Sequence, residues 1–298
     1  MADVSAPAEN RDSLNGFLFA LSAYLLWGFL PLYMKALAHI SPAEVIAHRI
    51  LWSIPVAGLL LIILKRTDDL KKAIRNPRML GMAAVTATLI SVNWGIYVWA
   101  IGAGHALDTA LGYFINPLFS ILLGAVILKE KLKKTQIAAL SLVVIAVVIL
   151  TVEAGRLPVV ALALTFSWGF YAFFRKTLPI GPNQGFLLEV LLLSPIALGY
   201  LVYLNLEGGG HFLMGNATDT VLLASSGLVT AVPLILYANG AKLLRLSTIG
   251  IMQYIAPSMI FITAVFVFDE PFSVAKAVAF PLIWAALVIY TLPMLRQR

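Results

Sequence analysis

"WGFLPLYMK" occupies residues 27–35 and "WGFYAFFRK" occupies residues 168–176, so the chain writes nearly the same segment twice, 141 residues apart. Each opens on Trp-Gly-Phe, ends on Lys and carries bulky apolar or aromatic residues between. Further matches keep almost the same offset. "INPLF" (115–119) aligns with "IAPSM" (255–259), which sets Pro117 over Pro257 at offset 140. "LKEKL" (128–132) aligns with "FDEPF" (268–272), setting Glu130 over Glu270, and Pro55 aligns with Pro195, both at 140. Self-similarity at a fixed spacing marks a repeated structural unit. Residues 14–152 and 157–294 therefore read as two copies of one unit behind a polar tail, residues 1–13.

Composition decides what that unit is made of. The 298 residues are 61% hydrophobic and 12% charged, whereas soluble domains sit near ~45–50% apolar and about 25% charged. "IAALSLVVIAVVILTV" (137–152) and "AVAFPLIWAALVIYTL" (277–292) are apolar on every face, which a half-exposed soluble helix is not. A helix needs roughly 20 apolar residues to cross a ~30 Å hydrocarbon core. The runs lack period-2 alternation, and lipid tolerates no open sheet edge. The reading is an all-α polytopic membrane protein with ten spans, near 14–38, 43–64, 79–102, 106–128, 135–152, 157–175, 184–204, 218–241, 247–268 and 274–294.

Lysine and arginine orient the spans. The loop after the second span, "KRTDDLKKAIRNPR", holds six, and "KEKLKK" after the fourth holds four. With Arg11, Arg175, Lys176, Lys242, Arg245, Arg296 and Arg298, seventeen of the 21 fall on one side, leaving Lys35, Arg49, Arg156 and Lys276. Both termini are therefore expected in the cytoplasm and the protein in the inner (plasma) membrane. Five spans per copy is odd, so the second copy must enter the membrane from the opposite face. The loops agree: "GAGHALD" between the third and fourth spans has no Lys or Arg, while its counterpart "AKLLRLS" carries Lys242 and Arg245. Inverted repeats are a transporter architecture, with the substrate site near the midplane between the halves and alternating access as the mechanism.

The motifs "AYLLWGF…K", "NWGIYVWA", "LGYFINPLFSILLG" and "STIGIMQYIAPSMIF", set in two tandem five-helix units, resemble the drug/metabolite transporter superfamily. The likeness is to its EamA-domain members, and within them to the RarD-like group, with kinship to YddG-type amino-acid exporters. It covers essentially the whole chain. It implies a ten-helix secondary carrier with cytoplasmic termini around a central cavity, often an exporter of amino acids or other small metabolites. The motifs specify the family far better than the substrate.

Candidate substrate-binding residues come from polar and aromatic groups at membrane depth. Asn93 and Tyr97 share one face of the third span. An amide at that depth either faces a wet cavity or bonds a neighbouring helix. Tyr113, Asn116 and Ser120 form a polar stripe on the fourth span, and Pro117 frees the carbonyl of Tyr113. "MQYIAP" places Gln253 and Tyr254 at the matching positions before Pro257, so Pro117 and Pro257 are expected to be paired gating kinks. Trp27, Trp168 and Tyr171 could wall the pathway, since both tryptophans lie 11–13 residues inside their spans rather than at an interface. Tyr237 matches Tyr97 at offset 140. This lining is aromatic plus uncharged amide and hydroxyl groups, with no fixed charge.

Three ionisable groups lie deeper. His48 and Arg49 are about six residues into the second span and Glu189 about six into the seventh, roughly 8–10 Å below their own faces at ~1.5 Å per residue. His48 and Glu189 are candidates for proton coupling, although snorkelling or a structural bond competes. Glu44 is expected at the outer interface, and Glu130 and Glu270 as helix-terminal or loop contacts.

Several functions are excluded or demoted. The +7 net charge belongs to membrane-flanking loops, so nucleic acid is not an expected partner. There is no cysteine, hence no disulfide or thiol chemistry. "MADVSAPAENRD" lacks the basic and small-residue pattern of a removable signal, so the first apolar segment is expected to stay as a span. No phosphate-binding Gly loop, metal-ligand spacing or hydrolase motif occurs, and no enzyme activity, cofactor or metal is expected. The leading reading is an exporter of amino acids, including aromatic ones, and related small metabolites, working as a monomer in the lipid bilayer. Multidrug or antibiotic efflux on the same fold, and a passive channel or non-transporting scaffold, are the alternatives.

Overall fold

The computed structural model of the chain describes residues 13–127, 129, 132–214, 216–244, 248–249 and 252–296. Arg11, Glu130, Arg245 and Arg298, which the charge and repeat arguments used, lie outside those residues. Among the described residues the elements are helices: α1 (Leu14–Ala36), α2 (Pro42–Ile63), α3 (Thr67–Ile74), α4 (Pro77–Gly102), α5 (Ala106–Ile127) and α6 (Lys134–Ala154). They continue as α7 (Val159–Thr177), α8 (Pro182–Leu206), α9 (Ala217–Lys242), α10 (Ile255–Phe266) and α11 (Val274–Arg296).

Local sequence sets the ends. Ser41 accepts from the amide of Glu44 at 3.2 Å with Pro42 in the first turn, and Asn76 accepts from Arg78 and Met79 with Pro77 behind it. These are side-chain caps followed by the residue least harmed by lacking an amide. Gly155, at φ 63°, ends α6 in the left-handed conformation that glycine adopts without strain.

Seven helices are long and apolar enough to cross a membrane: α1, α2, α4, α5, α6, most of α8 and the first 21 residues of α9. Val159–Arg175, Ile255–Phe266 and Val274–Tyr290 are shorter apolar helical stretches. Their outer faces are aliphatic: Val144, Ile145, Val148 and Val152 on α6 and Val274, Val278 and Val288 on α11 are exposed. Such continuous apolar surface belongs in lipid, not water. The chain is a polytopic helical membrane protein.

Two differences from the sequence expectation stand out. The basic stretch after α2, expected as a loop, contains α3; Leu70 and Ala73 turn inward against α8 and the start of α4, while Asp68, Asp69, Lys71 and Lys72 face out. The ninth segment, expected as one kinked helix over 247–268, is interrupted. Gln253 still closes a helical bond to Ile249 at 3.0 Å, but Gln253 and Tyr254 form a turn and α10 begins only at Ile255.

Packing places α6 beside α11 at one side of the bundle and α2 beside α8 at the other. Between them, α5 pairs with α10 and α7, α1 with α9 and α10, and α4 with α7. One core cluster joins α5, α6, α10 and α11 around Phe114 and Phe280; a second joins α2, α4, α7 and α8. Glycine permits the closest crossings. A side chain at Gly227 would enter the backbone of Trp52, where α9 crosses α2, and one at Gly112 would lie 2.7 Å from the carbonyl oxygen of Ala161, where α5 crosses α7.

At one end of the bundle the loops are tied together by polar contacts. The Glu44 carboxylate accepts from the amide of His211 at 2.7 Å and meets its Nδ1 at 2.8 Å, and His39 meets Asp219 at 3.1 Å. The Tyr33 hydroxyl donates to the carbonyl of Leu222 and meets Ser225 at 3.0 Å. Glu270 accepts from the amides of Ala106 and Leu107 at 2.6 and 2.8 Å, so its charge caps the N-terminus of α5. Glu270 is thus the helix-terminal contact expected. Glu44, expected to face the outer interface, is instead covered by the α8–α9 loop, which leaves it 1% exposed.

Candidate functional site

The same packing leaves a cavity between the central helices. Tyr24, Trp27 and Leu30 of α1, Arg49 of α2 and Asn93, Trp94 and Tyr97 of α4 form part of its wall. Tyr113, Asn116, Pro117 and Ser120 of α5, Trp168 of α7 and Tyr237 of α9 continue it, and Gln253, Ala256, Pro257 and Ile260 close it at the head of α10. The cavity volume is about 180 Å³. That suits a small organic solute, whose sites are mostly apolar with few placed polar groups. A second recess, lined by Leu132, Lys133, Gln136 and Tyr290 among others, shares Pro117 and Ser120 with it.

The aromatic rings fall into two groups. Tyr24, Trp27 and Tyr237 contact one another with centroids 5.5–5.9 Å apart. Tyr97, Tyr113 and Trp168 form a chain at 6.0 and 6.4 Å, which continues at 5.6 Å to Tyr171. Edge-to-face and tilted geometry of this kind suits rings that pack without stacking flat. Helical spacing explains the first group, since Tyr24 stands one turn before Trp27 on the same face.

Polar groups are arranged around these rings. Asn93 donates from Nδ2 to the carbonyl of Leu164 at 3.2 Å and to Ser167 Oγ at 3.0 Å, and its Oδ1 accepts from the Tyr113 hydroxyl at 3.3 Å. It lines the cavity and also bonds α4 to α7. Ser120 donates back to the carbonyl of Asn116 at 3.1 Å. The Tyr97 hydroxyl and Asn116 Oδ1 are buried without a partner among the described residues.

Of the residues singled out from the sequence, Trp27, Asn93, Tyr97, Tyr113, Asn116, Trp168, Tyr237 and Gln253 meet in this cavity, and Pro117 and Pro257 lie in its wall. Tyr171 stands behind Trp168, where its hydroxyl donates to Glu189 at 3.2 Å. Tyr254 packs toward the first core cluster. Neither coupling candidate lines the cavity. Glu189 accepts from Thr86 at 2.7 Å and pairs with Arg175 at 3.3 Å. His48 Nδ1 accepts from the Trp52 indole at 3.2 Å, and its ring lies against Phe212 at 4.8 Å.

Arg49 corrects the expectation of an uncharged lining. Counting residues from the start of α2 puts it near a membrane face. The α8–α9 loop, carrying His211 and Phe212, covers that end, and Arg49 is only 3% exposed. Its Nε donates to Thr230 Oγ1 at 3.0 Å and its guanidinium lies over the Trp94 ring at 4.8 Å. Tyr24 and Trp94 are not among the residues the sequence singles out, and Arg49 is singled out there only as a deep ionisable group, not as part of the cavity wall. A helical wheel through Trp27 and Tyr97 finds Tyr24 and Trp94, but the place of Arg49 needs the packing of α9 and α4 against α2.

A bundle of lipid-facing helices around a solute-sized cavity walled by both halves of the chain defines a membrane transport protein. Residues 14–152 match the EamA-like transporter family. The chain is 40% identical over 289 residues to the protein RarD of Streptomyces exfoliatus, covering 97% of this chain and 91% of that one. It is also 40% identical over 283 residues to an uncharacterized transporter of Vibrio cholerae, covering 95% and 94%. A solved crystal structure shares the fold with a TM-score of 0.62 at 19% identity, over 95% of this chain and 99% of the other. The chain belongs to the EamA-like transporters of the drug/metabolite transporter superfamily, in the RarD group.

Proposed function

We propose that the protein is a secondary carrier that exports amino acids, including aromatic ones, and related small metabolites across the inner membrane. It works as a monomer with cytoplasmic termini, by alternating access between two inverted five-helix repeats, residues 14–152 and 157–294. The observation that carries this reading is the cavity itself, to which both halves bring matched residues. Trp27 faces it from one copy and Trp168 from the other, as do Tyr237 and Tyr97, and Pro257 and Pro117.

Helix packing supports the repeat. Exchanging α1 with α7, α2 with α8, α4 with α9, α5 with α10 and α6 with α11 maps the principal contacts onto one another. The α1–α9 contact becomes α7–α4, α5–α7 becomes α10–α1, and α2–α9 becomes α8–α4, while α2–α8, α5–α10 and α6–α11 map onto themselves. The conformation fits an inward-open carrier. Contacts such as Glu44–His211 and His39–Asp219 hold the end expected to be outside, and the recess beside Lys133 and Gln136 lies at the basic end.

Counterflow in proteoliposomes tests the function. Vesicles loaded with unlabelled L-phenylalanine should transiently concentrate labelled L-phenylalanine, and empty vesicles should not. A channel gives no such trans-stimulation and a scaffold gives no uptake.

A further inference from the structure

Among the described residues, each of the four buried carboxylates has a partner. Glu44 is held by His211, Asp219 by His39, Glu189 by Arg175 and Glu270 by the amides that open α5. Arg49 differs. It is 3% exposed, makes no ion pair among the described residues, and no Asp or Glu lines the cavity it faces. A buried guanidinium carries five donors. Thr230 takes one, and Nη1 has no partner among the described residues. An uncompensated buried charge is costly to keep unless something supplies the counter-charge.

The side chain is also held in place. The bond from Nε to Thr230 fixes one edge and the Trp94 ring supports one face, and the residue so held forms part of the cavity wall. A guanidinium set this way matches the two oxygens of a carboxylate. In a partly dry cavity the attraction far exceeds its value in water. The aromatic group Tyr24, Trp27 and Tyr237 offers an apolar wall for the body of such a solute, and the Asn116 amide lies in the same cavity wall.

We propose that Arg49 is the anion-binding residue of the cavity and that the solute carried presents a carboxylate to it. The substrates are then zwitterionic or anionic, not organic cations. The proposal rests on reading the cavity as the transport site.

The test uses purified protein in lipid nanodiscs, with binding followed by tryptophan fluorescence for L-phenylalanine, phenylacetate, L-phenylalaninamide and phenethylamine. Parallel counterflow is run for the same four solutes. The parent should bind the two carboxylates at least tenfold more tightly than the amide and amine; Arg49→Gln should level the series and Arg49→Lys should restore part of the preference. Equal binding of acid and amide by the parent overturns the proposal, and so does a carboxylate preference that survives in folded Arg49→Gln. If Arg49→Gln does not give a monodisperse protein, the parental acid-to-amide ratio and Arg49→Lys decide. Counterflow of L-phenylalanine and phenylacetate undiminished in folded Arg49→Gln keeps the carrier and removes Arg49 from binding. Carboxylate binding with no counterflow of any solute keeps Arg49 and removes the carrier, and neither binding nor counterflow removes both.

Discussion

Gly28 and Gly169 show why Trp-Gly-Phe is written twice. A side chain at Gly28 would collide with Met259 where α1 meets α10, and one at Gly169 would collide with Phe119 where α7 meets α5. Met259 and Phe119 are themselves 140 positions apart, so the two crossings are the same crossing made twice. Each tryptophan faces the cavity beside the glycine that lets its helix approach. Replacing Gly28 with valine overpacks the α1–α10 contact and should cost about 1–3 kcal/mol, read as a lower melting temperature in detergent. Asn93→Leu tests a double role. It removes the bonds to Leu164 and Ser167 as well as a cavity polar group, and should lower stability by roughly 0.6–1.7 kcal/mol besides weakening transport. Gln253→Leu should weaken transport with less effect on melting. Equal melting of parent and Asn93→Leu would contradict the interhelical bonds.

At the scale of elements, the break before α10 is where the proposed alternation can be tested. Pro257 lacks an amide and leaves the carbonyl of Gln253 without its helical donor. In the structure the chain turns at Gln253 and Tyr254 before α10 starts, whereas its mate α5 runs continuously from Ala106 to Ile127 through Pro117. The sequence showed two equivalent prolines and so suggested two equivalent kinks. Proline removes one bond in either place, but packing decides whether the helix bends or parts. Pro257→Ala should restore the bond, favour a continuous helix and slow counterflow severalfold, with a smaller change in half-saturating concentration. An unchanged exchange rate would make the break a packing feature. Glu270→Ala should destabilise by about 0.5–2 kcal/mol, the range for loss of a helix-capping side chain. Thermal melting checks it, and an unaltered melting temperature would remove the cap from the account. The small helix α3 escaped the sequence reading because its charges dominate eight residues. The spacing of Leu70 and Ala73, acids first and lysines last, was the available signal.

For the whole molecule, helix positions and the aromatic cavity wall were legible because lipid leaves long apolar runs and repeats leave matched residues. The burial of Glu44 and the cavity position of Arg49 were not, since Glu44 is covered by His211 of the α8–α9 loop and Arg49 is held by Thr230 of α9, each contact joining residues more than 160 positions apart. Orientation is testable at the same scale. Single cysteines at Glu207 and Asp69 should react with an impermeant maleimide from outside and inside respectively; the reverse pattern would overturn the orientation, and labelling of both from one side would overturn the inverted arrangement. The central claim is that one cavity opens to each side in turn. The chain has no cysteine, so Ala256→Cys in the cavity wall gives a unique reporter. Its labelling by an impermeant maleimide is measured in right-side-out and in inside-out vesicles, with and without transported solute. The account predicts labelling from both sides and slower labelling when solute is bound. Reaction from one side only, under every loading condition, would contradict it.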